Sequence, residues 1–418
     1  MNRRTGWILL AAFVVVFLAL NSGAWSGYFQ DDEIDNLSWT PYLGPLDFLK
    51  GAITPVFYAN NFRPVGHYYF HAMEELAGLN FPVYVGVLQA VHVLNVWLLW
   101  LIVRGLGAGA ASAAAACGFF GLHMALFDDF WKPMYVFDVA CAAFCLASLL
   151  LWMRGRWILS FVSFWLAYKS KELAVMLPLV LLGWEFWFGR RRWKYLLPFF
   201  AVSVSFGLQG MLRNPNVDND YTFRFTLAAL GQTLPYYAGR VFLLPYLGFA
   251  LPLLALTARN RRVWFGLATM AVFLTPLLFL PGRMFSAYCY VPFTGLAIAL
   301  SGVAAPAAIA AVLLWMPCNI YALRVQRRET LARDAQIRAW MDAVHTFSQS
   351  REKVDAFVYA GLPEGFHSWG AAGALKYFYA RNDVVVLAEP TAEISGKRIA
   401  LIQWDPWHGR ATIRVIGP

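Results

Sequence analysis

Residues 27–39, GYFQDDEIDNLSW, place Asp31, Asp32, Glu33 and Asp35 within five positions, directly after an apolar run of membrane-spanning length. The chain is 60% hydrophobic and only 14% charged, so four neighbouring carboxylates mark the point where it leaves the hydrocarbon. Adjacent carboxylates at a low-dielectric boundary repel each other, and one of them keeps its proton to a higher pH. That behaviour suits a general base or a metal ligand; a solvated loop is the plain alternative. Asp31 lies nearer the apolar Gly27–Phe29 stretch, which makes it the favoured base of the first pair.

Outward from this loop, the composition defines the class. A mean hydropathy of +0.52 over 418 residues excludes a soluble protein. The alternation expected of outer-membrane strands is absent. Eleven candidate spans follow from hydropathy, at roughly 7–25, 82–104, 107–126, 134–153, 157–168, 172–189, 195–212, 236–257, 263–281, 286–302 and 304–324. The expected fold is a polytopic α-helical membrane protein with a small C-terminal α/β domain. Residues 1–325 form the membrane domain, with 26–81 as its first external loop, and 326–418 form the terminal domain. The apolar N-terminal segment is read as an uncleaved first span. The net charge of +10 does not indicate nucleic acid, because most Lys and Arg sit in short loops between apolar runs. The five cysteines fall in or beside apolar runs and read as small buried hydrophobes.

The positive-inside rule orients the chain. One set of loops carries Arg3 and Arg4, Arg104, Arg154 and Arg156, Arg190 to Lys194, and Arg259 to Arg262, with almost no acid. The other side receives the acids at 31–35, DDFWK at 128–132, YKSKE at 168–172, RNPNVDND at 213–220 and LPGRMF at 280–285. The expected location is the inner (cytoplasmic) membrane, with the N-terminus inside and the mixed clusters outside. Residues 62–79 have helical spacing but are too polar to span, and read as an amphipathic helix in the outer interface. Beyond 325, VDAFVYA, DVVVLAE, RIALIQW and RATIRVI read as strands and SWGAAGALKYFYA as a helix.

The cations on the acidic side suggest an anion site. Lys169 and Lys171 stand with Glu172 at a span end, where snorkelling is the bland alternative. Arg283 is a lone cation between apolar runs, and Arg63 precedes Pro64 in the interfacial helix. Together they have the chemistry to hold a phosphate. Asp138 lies about one turn inside a span, and an ionisable group there is a functional-site candidate. Asp128 and Asp129 read as loop acids, either of which could instead face the cavity. His67 and His71, at i and i+4, are the candidates for a divalent metal, with no third ligand fixed by spacing. His92 and Asn95, one turn apart inside a span, suit hydrogen bonds between helices.

In order and membrane side, these motifs resemble the GT-C superfamily of polyprenyl-phosphate-sugar glycosyltransferases, and within it the protein O-mannosyltransferase-like branch. FQDDEIDN is similar to a first-loop "DD…N" motif, NNFRPV to an "RP" motif, and NFPVYVGVLQAVHVLN to the family's second span with its His and Asn. YKSKELAVMLPLVLL is similar to "SKE" at Ser170, Lys171 and Glu172, and GRMFSAYCYVPFTGLAIAL to "RYLYLP" with Tyr288, Tyr290 and Pro292. VFDVACAAF resembles "RFDLLA" but has Val136 in place of the Arg, and no tetratricopeptide repeats follow. The resemblance implies an inverting transferase that moves a sugar, a mannose-like hexose, from a polyprenyl-phosphate donor to a hydroxyl of a protein or glycan. It implies Asp31 or Asp32 as base, Lys169, Lys171, Arg283 and Arg63 at the donor phosphate, and Glu172, Asp138, His92, Asn95, Tyr288 and Tyr290 in support. No organic cofactor is implied. A transporter or lipid flippase is the rival reading, since it too would use intramembrane charge, but paired repeats are not visible.

The charge distribution predicts an external C-terminus. A reporter active only in the cytoplasm, fused after Pro418, is expected to stay silent; an active fusion would show that the span count is off by one.

Overall fold

The computed structural model describes residues 3–55, 62–189, 191–213, 218–258, 260–350, 352–381, 383–389 and 396–417. The expectations that fall on Arg190, Arg259, residues 56–61 and residues 214–217 lie outside the described residues, as do those on the side chains of Arg3, Arg4 and Arg213.

Helices build nearly the whole of residues 3–349. Among the described residues, Thr5–Ser26, Phe81–Gly105, Pro133–Met153, Trp193–Leu212 and Ala305–Gln349 are long and apolar enough to cross a membrane. Leu227–Phe242 and Leu247–Leu256 form a further pair bent by 83°. By length and composition alone, that is five such helices among the described residues, or six if the bent pair is one span, where hydropathy gave eleven candidate runs. The other expected spans are shorter helices, such as Ala110–Gly121, Trp157–Ser170, Leu177–Trp187 and Tyr290–Leu300. Hydropathy sees composition, not the helical breaks that divide an apolar run. The run at 236–257 is one such case, because the chain turns at Leu243 and Tyr246, both in the left-handed region. Large apolar side chains, including Met211, Leu212 and Leu314, are over 80% or near 80% exposed on the bundle's outer face. Such surface is stable against lipid tails and costly against water.

The expected break at residue 325 does not occur. One helix of 45 residues, Ala305–Gln349, runs from the apolar region into the terminal domain. At 1.5 Å per residue it is about 68 Å long, more than twice the ~30 Å of hydrocarbon. The terminal domain continues with β1 (Ala356–Ala360), a helix at Ser368–Tyr379, β2 (Val386–Leu387), β3 (Ile399–Asp405) and β4 (Arg410–Ile416). The strands lie in the order β2-β1-β3-β4, with β1 parallel to β2 and β3, and β3 antiparallel to β4. The long helix packs on β4 and on Ser368–Tyr379.

Two contacts position the functional end of the bundle. The carboxylates at 31–35 open a short helix, Asp31–Trp39, capped by Gln30 through a reciprocal bond with Glu33. The terminal-domain helix Ser368–Tyr379 lies against it. A Cβ at Gly370 would meet the backbone of Asp31 at 2.9 Å, and one at Gly373 the backbone of Asp35 at 3.0 Å. Glycine at both positions therefore permits the approach. Deeper in the bundle, Gly266 of helix Arg261–Leu278 and Gly295 of helix Tyr290–Leu300 make a similar close crossing.

At that crossing, a Cβ on Gly266 would lie 2.6 Å from the Gly295 carbonyl oxygen and 2.7 Å from the Ala299 Cα. These are backbone atoms and cannot rotate away. Gly266→Val is expected to destabilise the protein by about 1–3 kcal/mol, read as a lower melting temperature in detergent. An unchanged melting curve would contradict the close crossing.

Candidate active site

The acid helix carries four carboxylates with four different surroundings. Asp31 is only 9% exposed. Its Oδ1 accepts the His367 backbone N–H at 2.7 Å, and its Oδ2 lies 2.6 Å from the His367 Nδ1. Asp32 is exposed, and its Oδ1 accepts the Trp369 indole N–H at 2.9 Å. Burial on its protein-facing sides raises the Asp32 pKa, against the opposing pull of Trp369 and Arg283, while Asp31 adds to the rise. Glu33 accepts from the backbone of Gln30 and Met134 at 2.9 and 3.0 Å, and burial pushes its pKa up to about 7. Burial also raises the pKa of Asp35. The preference for Asp31 as base is therefore not supported by the geometry. Burial does set it apart, but both of its oxygens are engaged by His367, whereas Asp32 keeps one carboxylate oxygen without a hydrogen bond.

The cations expected at a phosphate divide into three kinds. Lys171 lies 2.5 Å from Asp138 and 4.3 Å from the centre of the Tyr288 ring. Arg63 makes a two-pronged contact with Glu172 at 2.8 and 3.1 Å. Burial opposes its charge, but Glu172 outweighs burial and the Arg63 pKa is raised. Arg283 pairs with no carboxylate among the described residues. It donates to the Tyr288 hydroxyl at 3.1 Å and lies over the rings of Tyr221 and Phe285. Its charge and that of Asp32 act on each other. Arg283, Tyr288, Lys171 and Asp138 thus form one continuous cluster leading from the acid helix. Lys169 does not join it: its ammonium donates to the Thr54 carbonyl and lies near the Trp165 and Tyr168 rings.

His92, Asn95 and Tyr290 lie beneath this cluster, fully buried. The His92 Nε2 is 3.0 Å from the Gly121 carbonyl, which can only accept, so this nitrogen carries the proton. The His92 Nδ1 then accepts from the Tyr290 hydroxyl at 2.6 Å. Asn95 donates to that hydroxyl at 3.0 Å and to the Val139 carbonyl at 2.9 Å. These bonds join four helices, Phe81–Gly105, Ala110–Gly121, Val136–Met153 and Tyr290–Leu300.

The metal expectation for His67 and His71 does not fit the geometry. His67 accepts the Arg63 backbone N–H at 2.9 Å and is stacked on Phe62, while His71 meets the Thr40 carbonyl and Glu75. Burial lowers the His67 pKa to about 3. Among the described residues no three of His, Cys, Asp or Glu gather as a metal site.

Two participants were not identified from sequence, and a third was read mainly as a loop acid. His367 and Trp369, stacked at 4.4 Å, arrive from the terminal domain 336 and 337 residues away, and no spacing in the chain announces them. Asp129, expected in a loop, is fully buried. Burial and the neighbouring Asp138 and Asp128 carboxylates raise its pKa, partly offset by Lys171. Its setting in DDFWKP, flanked by aromatic and apolar residues, was the available signal.

Comparison with known proteins adds the fold. No family model matches the sequence, and no curated protein matches it. Among solved structures, ArnT from Cupriavidus metallidurans in the apo state aligns with a TM-score of 0.55 at 12% identity, over 99% of this chain and 98% of ArnT. The same protein bound to undecaprenyl phosphate aligns at 0.53 and 14%, over 98% of each chain. The arabinofuranosyltransferase AftD from Mycobacteria aligns at 0.52 and 16%, over 93% of this chain and 32% of AftD. The chain thus shares the fold of ArnT and of the matched part of AftD. These likenesses establish architecture, and the chemistry rests on the site.

Pairing separates the two inner cations. Lys171→Ala leaves Asp138 buried without its partner, at a cost of about 3–5 kcal/mol. Arg283→Ala removes a charge that pairs with no described carboxylate and is expected to change stability little. Thermal unfolding of both variants checks the contrast; equal losses would contradict it.

Proposed function

We propose that the chain is a glycosyltransferase that uses a polyprenyl-phosphate-linked sugar, with Asp32 as the general base and Arg283 and Lys171 at the donor phosphate. The observation that carries this reading is that Asp32, whose pKa burial raises, and Arg283, which pairs with no carboxylate among the described residues, act on each other electrostatically. That ArnT, of the same fold, has a structure with undecaprenyl phosphate supports a lipid-phosphate donor.

In the proposed reaction, Asp32 takes the proton from an acceptor hydroxyl of a glycan or protein. The oxygen attacks the anomeric carbon from the face opposite the phosphate. The carbon–oxygen bond to phosphate breaks as the new bond forms, and polyprenyl phosphate leaves with the bonding electrons, so the anomeric configuration inverts. The leaving group is already an anion, so its departure calls for positive charge rather than a strong acid. Arg283 supplies a fork of donors and Lys171 a compact charge. Arg63 and Glu172 form a second ion pair whose charges act on Asp138 and Lys171. Asp31 acts through His367, keeping the terminal domain seated beside the base. Within this reading a mannose-like hexose is the proposed sugar, following the O-mannosyltransferase-like motifs, and the outer face of the inner membrane is the proposed location.

Asp32→Asn keeps the shape and removes the basicity. It is expected to lower turnover by about 10²–10⁴ while polyprenyl-phosphate binding survives. In the wild type, activity should fall on the acid side as Asp32 takes up its proton, with a midpoint above the usual aspartate value. Arg283→Ala should instead weaken polyprenyl-phosphate binding. Mass spectrometry of envelope proteins and glycolipids, with and without the chain, reads the product. Wild-type turnover in Asp32→Asn would remove the proposed base, and transport without any glycosidic product would favour the flippase.

A further inference from the structure

A cavity of about 710 Å³ lies between the first external loop and the terminal domain. Its walls come from four parts of the chain: Leu37 on the acid helix, Tyr42 just after it, Glu74 on helix Pro64–Ala77, and Gln349, Tyr377 and Phe378 from the terminal domain. The Tyr377 hydroxyl donates to a Glu74 carboxylate oxygen at 3.2 Å. Tyr42 is 53% exposed, which leaves much of its ring uncovered. Among the described residues no Lys or Arg lines the cavity; His345, 3.2 Å from the Gln349 amide, is the one basic side chain there. This is the opposite of the donor cluster, where Arg283, Lys171 and Arg63 gather.

We propose that this cavity is a binding subsite for an uncharged or amino-bearing oligosaccharide, the acceptor of the transfer. Charge decides the class. A carboxylate with no Lys or Arg beside it in the lining repels phosphorylated or acidic glycans, whereas sugar hydroxyls and an amine are good donors to Glu74. Aromatic rings such as Tyr42 and Tyr377 offer flat apolar faces to the C–H side of a sugar ring. Gln349 adds an amide that both donates and accepts. The volume falls in the range of small-molecule sites.

Position ties the cavity to the reaction. Gly370 meets Asp31 and Gly373 meets Asp35, so the helices Asp31–Trp39 and Ser368–Tyr379 run side by side in the same direction. The acids and the His367–Trp369 pair lie at the start of both helices, and the cavity lies at their far ends, by Leu37 and Tyr377. Leu37 is six residues from Asp31, about 9 Å along the axis. An acceptor that occupies the cavity and presents a hydroxyl to Asp32 must therefore extend over more than one sugar ring. One side of the cavity, with Gln349, Tyr377 and Phe378, comes from the terminal domain, which gives that domain a role in acceptor binding. The inference rests on the transferase reading, but it concerns binding and is tested without turnover.

The full chain, labelled and held in detergent micelles, is applied to an array of neutral, amino-bearing and acidic oligosaccharides together with Ser/Thr-rich peptides. Retention is expected on neutral or amino-bearing oligosaccharides. Glu74→Gln and Tyr42→Ala should each weaken it about tenfold, the change expected when a hydrogen bond to a charged group or a packed ring is lost. Asp32→Asn should retain binding while losing transfer. Tyr42 lies at the exposed rim, so its variant reports on the cavity even if the change at Glu74 disturbs the seating of the terminal domain. The inference is overturned if no oligosaccharide is retained, if acidic glycans or peptides bind instead, or if both cavity variants bind as the wild type does. Failure of the transferase reading looks different: Asp32→Asn would then transfer sugar normally, whatever the array shows.

Discussion

An ionised side chain at the edge of hydrocarbon persists only when another group satisfies its charge, and the functional end of this bundle is organised by that requirement. Asp138 is buried and answered by Lys171; Glu172 is answered by Arg63. Each pair links segments distant in sequence, so the pairing also closes the bundle. Within this closed set Arg283 is an exception, since the aromatic rings and hydroxyl around it hold its position without neutralising it. A cation held in place but not neutralised is suited to receive an anion.

The acid helix shows how one local pattern is divided into separate roles. Glu33 caps its own helix and accepts from Met134, a structural use of a carboxylate. Asp31 is engaged by His367 on both oxygens. Asp32, its immediate neighbour, faces open space beside Trp369. Successive residues on a helix point about 100° apart, so adjacent acids cannot share one environment. The terminal domain exploits that divergence, contacting Asp31 and Asp32 through two different side chains of one turn.

Helix Ala305–Gln349 explains how a soluble module can be placed so accurately. It leaves the apolar region without a joint, and its outer half holds the start of the first loop: Asp334 accepts from the Tyr28 N–H and the Gln30 side chain, and Arg338 donates to the Gly27 carbonyl. The same helix supports the sheet through β4. Loop and terminal domain therefore share one rigid rod, and the cavity between them takes its shape from it.

Local chemistry was enough to determine the membrane class and the segments that become the strands of the terminal domain. Each of these is carried by composition or by a period of a few residues. The number of uninterrupted spans was less legible, because breaks such as that at Leu243–Tyr246 depend on packing against neighbouring helices rather than on hydropathy. Tertiary structure alone decided that Lys169 turns to Thr54, that His67 and His71 have separate partners, and that Asp31 rather than Asp32 is engaged by His367. Those outcomes depend on contacts between residues as much as 336 positions apart. No periodicity connects such residues; only the folded chain, with glycines that let two helices touch, brings their polar atoms within bonding distance.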